Sequence, residues 1–225
     1  MITMDLRDLS SVEKMNVLTE IDQAKSGSPE AVAFLRQCLF AEDYLVRSRC
    51  FALLERYWFP PLRESLLEIV KGEGDRQWQL RALAALARSG DDSLCRDLEP
   101  LVFQRNKPLL LRGALWVVAT LGGEDALDIM ARFLRSPYRG YLKPSFVADA
   151  MALAIGNTEG GETFWKLRCE KDPDFSKIVD YYRGFVTENP LLQVYPYPDY
   201  LSKAAMEQDI SPKELKRAIY FKNRR

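Results

Sequence analysis

The residue types that most enzymes use near neutral pH are scarce in this chain of 225 residues, which contains no histidine. Histidine is the side chain whose unperturbed pKa lies nearest neutrality, so its absence excludes Ser-His-Asp and Cys-His nucleophilic sites. It also excludes zinc and di-iron sites that use histidine ligands. We therefore expect a protein that is not an enzyme, with no catalytic residue, no cofactor and no metal site.

The cysteines do not supply an alternative chemistry. They form no CxxC pair, so the sequence predicts neither a zinc ribbon nor a thioredoxin-type site. Each lies among apolar residues, which is typical of buried free thiols in a reducing compartment. The four positions are Cys38, Cys50, Cys95 and Cys169. There is also no signal-peptide pattern and no apolar run of about 18 residues, so we expect a cytoplasmic protein without a membrane span.

Arginine is the residue type whose spacing does indicate a binding function. A guanidinium group pairs in bidentate fashion with carboxylate or phosphate, and several arginines recur about 32 residues apart. The formal net charge is zero, so such residues can form a basic surface only if opposite charges lie elsewhere. We predict one exposed basic strip that ends at an apolar patch. The arginines are Arg49, Arg56, Arg81, Arg88 and Arg112, and the patch residues are Trp116 and Phe146.

This spacing comes from repeated pairs of helices. Segments that start at Pro29, Pro61, Ser93 and Asp125 lie 32 residues apart, and each carries apolar residues at intervals of three and four, as a helix requires. A second helix follows each of them. Each second helix has a small residue four positions after the first residue of its buried face. This small residue allows a neighbouring helix to approach closely. These small residues are Cys50, Ala82, Ala114 and Ala148.

The ends of the chain depart from the repeat. The capping box Ser10-x-x-Glu13 predicts a helix through about Lys25, which forms an N-terminal half-repeat. A fifth helix pair is predicted over 162–171 and 175–187. We expect residues 1–189 to form the repeat domain and residues 190–225 to pack as a C-terminal cap that is not a repeat. Three of the second helices are predicted to end at a glycine, namely Gly90, Gly122 and Gly156.

Residues 28–157 resemble HEAT-like repeats of the PBS-lyase class. The clearest match is Asp43-Tyr44-Leu45-Val46-Arg47, with Cys50 in the usual place of alanine. Gln79 stands where the next arginine of that pattern would be, so we expect few Asp–Arg contacts between repeats and cohesion through apolar packing. The resemblance implies an all-α fold, a right-handed α-solenoid of about five helix pairs, in which the second helices line a concave face.

A protein-interaction scaffold is the function that these features favour. The concave groove would bind an acidic or aromatic-containing segment of another protein, and we expect the protein itself to be monomeric. An adaptor, an assembly factor and an immunity-type inhibitor all fit this description. The opposing interpretation of the arginines is that they are solvated and lie over neighbouring repeats.

Two other classes with such repeats were weighed. HEAT-like DNA glycosylases would require an aspartate near a tryptophan on a strongly basic concave face. The residues four positions after the tryptophans include no aspartate; they are Leu62, Ala82, Thr120 and Cys169. With zero net charge, nucleic acid is a less favoured partner than protein. A lyase-type activity remains a weaker alternative, because no site of that kind matches the sequence.

Overall fold

The computed structural model describes residues 9–25, 27–72 and 74–186. The described part of the chain is all-helical and contains no strand, which confirms the all-α part of the predicted fold. The predicted cap of residues 190–225 lies outside the described residues.

The described residues contain eleven α-helices and two short 3₁₀ turns, joined by connections. The 3₁₀ turns are Pro60–Leu62, before α4, and Pro137–Tyr141, between α8 and α9. The helices are α1 (Ser11–Ala24), α2 (Pro29–Leu39), α3 (Tyr44–Leu54), α4 (Arg63–Lys71), α5 (Arg76–Leu86), α6 (Leu94–Val102), α7 (Pro108–Leu121), α8 (Gly123–Arg135), α9 (Pro144–Gly156), α10 (Gly161–Lys171) and α11 (Pro173–Arg183).

The odd-numbered helices contact one another in series, from α1 to α11, and we call them the odd row. Neighbours in this row run parallel, because equivalent residues meet: the Gln77 side chain donates to the Tyr44 hydroxyl at 3.0 Å, and Arg81 donates to the Ser48 hydroxyl at 2.8 Å. Helices α6, α8 and α10 also contact in series. Each helix therefore packs mainly against helices close to it in the sequence.

Side-chain caps fix where several odd-row helices begin. Ser10 and Glu13 form the predicted capping box at α1, and their reciprocal hydrogen bonds satisfy backbone N–H groups that have no partner within the helix. The carboxylate of Asp43 accepts hydrogen bonds from two backbone N–H groups at the start of α3. Asp75 and Asp172 cap α5 and α11, each accepting one such hydrogen bond. These caps set the register in which the odd-row helices pack.

The predicted small positions lie in the helix contacts. Cys50, Ala82, Ala114 and Ala148 are all fully buried, as the spacing predicts. The apolar positions at the end of the first helices are buried as well, namely Cys38, Val70, Val102 and Leu134. One continuous apolar cluster extends from α1 to α11. Apolar contact between repeats is therefore a main source of stability, at roughly 25 cal/mol per Å² buried.

Cross-repeat ion pairs are more numerous than the sequence predicts. At the arginine position of the HEAT-like motif, the expectation of few Asp–Arg contacts holds. Gln79 donates a hydrogen bond to the carbonyl oxygen of Val70, and the guanidinium carbon of Arg47 lies 4.6 Å from the Trp78 ring centre. However, Arg63 of α4 pairs with Asp97 of α6 at 2.7 Å. Further pairs join α6, α8 and α10: Arg96–Asp125, Arg132–Glu99 and Arg168–Asp128. Each exposed pair contributes about 0–1 kcal/mol, so they fix register more than they add stability.

Three predicted helix ends are wrong. Helix α5 ends at Leu86, so Gly90 lies four residues beyond it and does not close the helix. Gly156 is the last residue of α9 and has no left-handed backbone; the helix continues to it, and Gly160 in the following turn takes the positive φ of 71°. Helix α11 ends at Arg183 rather than near residue 187. Val186 therefore lies beyond the helix and is exposed.

Gly122, between α7 and α8, has a backbone conformation that strongly favours glycine. Its φ of 71° and ψ of −154° lie in a region that only glycine adopts readily, and an added Cβ would overlap the Asn157 carbonyl oxygen. We expect Gly122→Ala to lower the free energy of unfolding by more than about 2 kcal/mol, as measured by urea denaturation.

Gly90→Ala is the matched control. Gly90 also has a positive φ, of 64°, but open space surrounds the position of its Cβ. Its substitution should lower the free energy of unfolding by only about 1 kcal/mol. Equal losses for the two variants would contradict the packing described at Gly122.

Candidate functional site

Two of the predicted arginines share one carboxylate. Asp22, near the end of α1, accepts hydrogen bonds from Arg49 at 2.9 Å and from Arg56 at 2.7 Å. Arg49 is half-buried and Arg56 is exposed. Two guanidinium groups therefore meet a single acid, which leaves an excess of one positive charge at this place.

Arg81 is not exposed, so its predicted place on the basic strip is wrong. Its side chain is only 3% exposed, and it pairs with Glu55 at 2.8 Å. The physical reason is its helical position: Arg81 lies three residues after Trp78 and four before Ala85, both of which are buried. Residues at that spacing share a face, so Arg81 points into the contact between α3 and α5.

The acidic partners themselves form a repeated pattern that the prediction missed. Asp22 of α1 pairs with Arg49 of α3, and Glu55, 33 residues later, pairs with Arg81 of α5. In the next repeat the corresponding arginine position is Gly113, where a Cβ would lie 3.0 Å from the side chains of Leu80 and Leu83. The odd row thus begins with two acid–arginine contacts and continues with tight apolar packing.

The predicted aromatic patch is also buried. Trp116 and Phe146 are 3% and 2% exposed, and their ring centres lie 6.0 Å apart between α7 and α9. Helix α7 contacts α5, α6, α8 and α9. The neighbouring helices therefore cover the face of α7 that carries Trp116, and no exposed anchor remains at that position. These two residues stabilise the core and do not line a groove.

Arg112 covers the same aromatic pair. Its guanidinium carbon lies 4.8 Å from the Phe146 ring centre, a cation–π contact, and the side chain is half-buried. Burial lowers the pKa of this guanidinium from its usual value. Arg112 therefore serves the contact between α7 and α9 and presents little of its charge to a partner.

Arg88 is the predicted arginine whose charge is most accessible. It follows the end of α5 as Arg56 follows the end of α3, and it is exposed. Among the described residues its side chain has no ion-pair or hydrogen-bond partner. The strip is therefore reduced to three members, the exposed Arg56 and Arg88 and the half-buried Arg49, and we call this set the residual strip.

Next to Arg56 lies a cleft of about 360 Å³ that the sequence did not predict. It lies between the α1–α2 turn and the segment that joins α3 to α4, and we call it the aromatic cleft. Its lining residues are Lys25, Gly27, Val32, Arg56, Tyr57, Trp58, Phe59, Pro60 and Pro61. The rings of Tyr57 and Trp58 are half-buried, so each presents part of its surface to the cleft. Here, rather than at Trp116, aromatic side chains meet an accessible arginine.

A sequence signal for the cleft did exist. The residues Arg56-Tyr57-Trp58-Phe59-Pro60-Pro61 lie in a connection between helices and place three aromatic rings and two prolines next to one another. Phe59 is buried in the core, whereas Tyr57 and Trp58 keep part of their ring surface exposed. Their presence in a turn is therefore an indication of a surface function.

A second cleft, of about 520 Å³, lies between α10 and α11. Its charged lining is mixed, with Glu162 and Glu170 beside Lys166 and Arg183. No aromatic ring lines it, and no single ligand charge would be favoured there. This cleft offers less selectivity than the aromatic cleft.

Catalytic and metal chemistry finds little support in the described residues. Burial raises the pKa of the Cys38 and Cys95 thiols to about 12, so neither is a thiolate near neutral pH. Burial also holds the Cys50 thiol pKa well above its usual value. Within residues 9–25, 27–72 and 74–186, no three acidic or cysteine side chains form a group that could hold a metal ion. In the same residues no helix has the length and apolar character needed to cross a bilayer.

Comparison of the chain with models of known protein families gives no match, and comparison with curated proteins gives none either.

The contrast between Arg81 and Arg88 can be tested. Truncating Arg81 leaves Glu55 without its partner in a partly buried contact, so Arg81→Ala should lower the free energy of unfolding by about 3 kcal/mol. Arg88→Ala removes an exposed side chain, so it should change that free energy by less than about 0.5 kcal/mol. Urea denaturation of both variants measures the difference; similar values would mean that Arg81 is as accessible as the sequence predicted.

Proposed function

We propose that this chain is a non-catalytic protein-interaction scaffold that binds an acidic segment of another protein on its odd-row surface. In this proposal the helices form a right-handed α-solenoid of about five HEAT-like pairs, and the odd row lines its concave face. The protein is a cytoplasmic monomer that acts as an adaptor, an assembly factor or an immunity-type inhibitor.

The pattern of helix contacts supports the repeat architecture. Odd-row helices run parallel and meet through equivalent residues, and most other contacts are between helices adjacent in sequence. A solenoid is the arrangement in which each repeat contacts only its neighbours. Such arrays present long surfaces without a catalytic cavity, which suits the capture of extended partner segments.

The accessible charge of Arg88 carries the functional proposal. An exposed arginine without a partner among the described residues is well placed to pair with a carboxylate from outside. Arg56, at the corresponding position one repeat earlier, shares Asp22 with Arg49 and retains excess positive charge. Because α3 and α5 run side by side, the two arginines can contact successive acids of one segment.

A protein partner fits this surface better than nucleic acid does. Phosphate-tracking surfaces depend on many uncompensated cations, since each contact releases counterions. On the odd row, however, Asp22 and Glu55 neutralise part of the arginine charge. A short acidic segment needs only a few accessible guanidinium groups.

Affinity capture from a lysate of the native host tests this function. The wild type should retain a protein partner at low salt and release it at high salt, because exposed charge contacts are screened. Arg88→Glu should lose the same partner while its melting temperature stays unchanged, since the side chain packs against little. Nuclease treatment of the lysate should have no effect.

Lys143→Glu is the control for the charge reversal. Lys143 is exposed and directly precedes α9. The helices that contact α9 are α7, α8, α10 and α11, and none of them carries an arginine of the residual strip. This variant should capture the partner as the wild type does. Equal capture by Arg88→Glu, or loss of capture after nuclease treatment, would contradict the proposal.

A further inference from the structure

We infer that the aromatic cleft is a binding site for an aromatic or proline side chain that lies next to a carboxylate in an extended peptide. This inference rests on the proposed function, because it states where a partner segment on the odd-row surface would place its apolar anchor. It replaces the role that the sequence assigned to Trp116 and Phe146.

The walls of the cleft have the chemistry of ring recognition. Tyr57 and Trp58 offer flat aromatic surface, and Pro60 and Pro61 add a second apolar wall. Aromatic and proline-lined grooves recognise prolines and rings because such side chains are stiff and lose little entropy on binding. The volume lies at the lower end of small-ligand pockets, roughly 300–1,000 Å³, which suits one or two side chains rather than a folded surface.

The charged side chains at the edge of the aromatic cleft determine which charged group the ligand must carry next to its ring. Lys25 and Arg56 line the cleft, and none of the lining residues is acidic. One Arg56 nitrogen bonds Asp22, and Nε bonds the Ala52 carbonyl oxygen at 3.2 Å. Guanidinium has five N–H donors, so three of them have no partner among the described residues. An incoming carboxylate can therefore bond Arg56 without displacing Asp22.

The cleft is held open by contacts that exist without a ligand. Arg36 of α2 donates to the Pro61 carbonyl oxygen at 2.9 Å, which ties the proline wall to the neighbouring helix. A Cβ on Gly27 would lie 3.3 Å from the Phe59 ring, so the α1–α2 turn packs closely against Phe59. Phe59 itself is buried. A fixed pocket of this kind loses little ordering entropy when it binds.

A peptide matches these observations better than single-stranded nucleic acid. Bases also stack on aromatic rings, and arginine also binds phosphate. However, the carboxylate of Asp22 lies against Arg56 at the rim and would repel a phosphate chain that follows the arginines. The charge pattern admits one or two acids beside a ring, not a continuous polyanion.

Fluorescence anisotropy with a labelled synthetic peptide built of glutamate, tyrosine and proline tests the inference on the full chain. Two comparison peptides replace either the tyrosine and proline by serine and glycine, or the glutamates by lysine. We expect the first peptide to bind at least about tenfold more tightly than either comparison peptide. An oligonucleotide of thymidines should bind more weakly than the first peptide.

Variants separate the cleft from the residual strip. Trp58→Ala removes ring surface and Lys25→Glu reverses one rim charge; each should weaken binding of the first peptide about tenfold or more. Lys25 is exposed, so this variant keeps the inference testable if Trp58→Ala fails to fold. Lys143→Glu should bind as the wild type does.

The Arg88→Glu variant distinguishes the two proposals. If it captures the native partner normally while Lys25→Glu loses the peptide, the residual strip fails and the cleft stands. If Lys25→Glu and Trp58→Ala bind the peptide as the wild type does, or if the comparison peptides or the oligonucleotide bind as tightly, the inference is wrong.

Discussion

Close parallel packing of neighbouring odd-row helices is the constraint on which the rest of this structure depends. At each contact the side chain between two helices must be small, apolar or paired with an opposite charge. Cys50, Ala82 and Ala114 meet this condition by size, and all three are fully buried. Arg81 meets it by pairing with Glu55. At Gly113 the side chain is absent, and the leucines of α5 fill the space.

This constraint also decides which charges remain available for binding. An arginine in a helix contact is used within the fold, as Arg81 is by Glu55 and Arg112 is by the Phe146 ring. Arginines that follow the ends of helices, such as Arg56 and Arg88, lie outside the contact between helices and are exposed to solvent. The same residue type at similar sequence spacing therefore has two different roles, and the helix contact, not the spacing, assigns them.

The chemistry that is accessible lies mainly in a connection rather than on the helix faces. Residues 56–61 lie outside the α-helices. Phe59 is buried among them, but Tyr57 and Trp58 keep part of their ring surface exposed. The neighbouring helices hold these residues in place, through contacts such as the hydrogen bond from Arg36 to Pro61. A stiff helical frame with binding residues in its turns is a common division of roles, because turns tolerate substitution and helix contacts do not.

The sequence by itself determined the all-helical class, the helix starts and the buried small positions. These are local or periodic features: the capping box at Ser10 and Glu13, and the recurrence of small residues from Cys50 to Ala148, act through neighbours along the chain. The tertiary structure alone decided the candidate site. Whether Arg81 and Trp116 are exposed depends on the angle at which two distant helices meet, and Asp22 reaches Arg56 only because α1 and α3 pack. Periodicity defines which residues share a face, but not which neighbour covers that face, so exposure and charge pairing could not be derived before the helices were assembled.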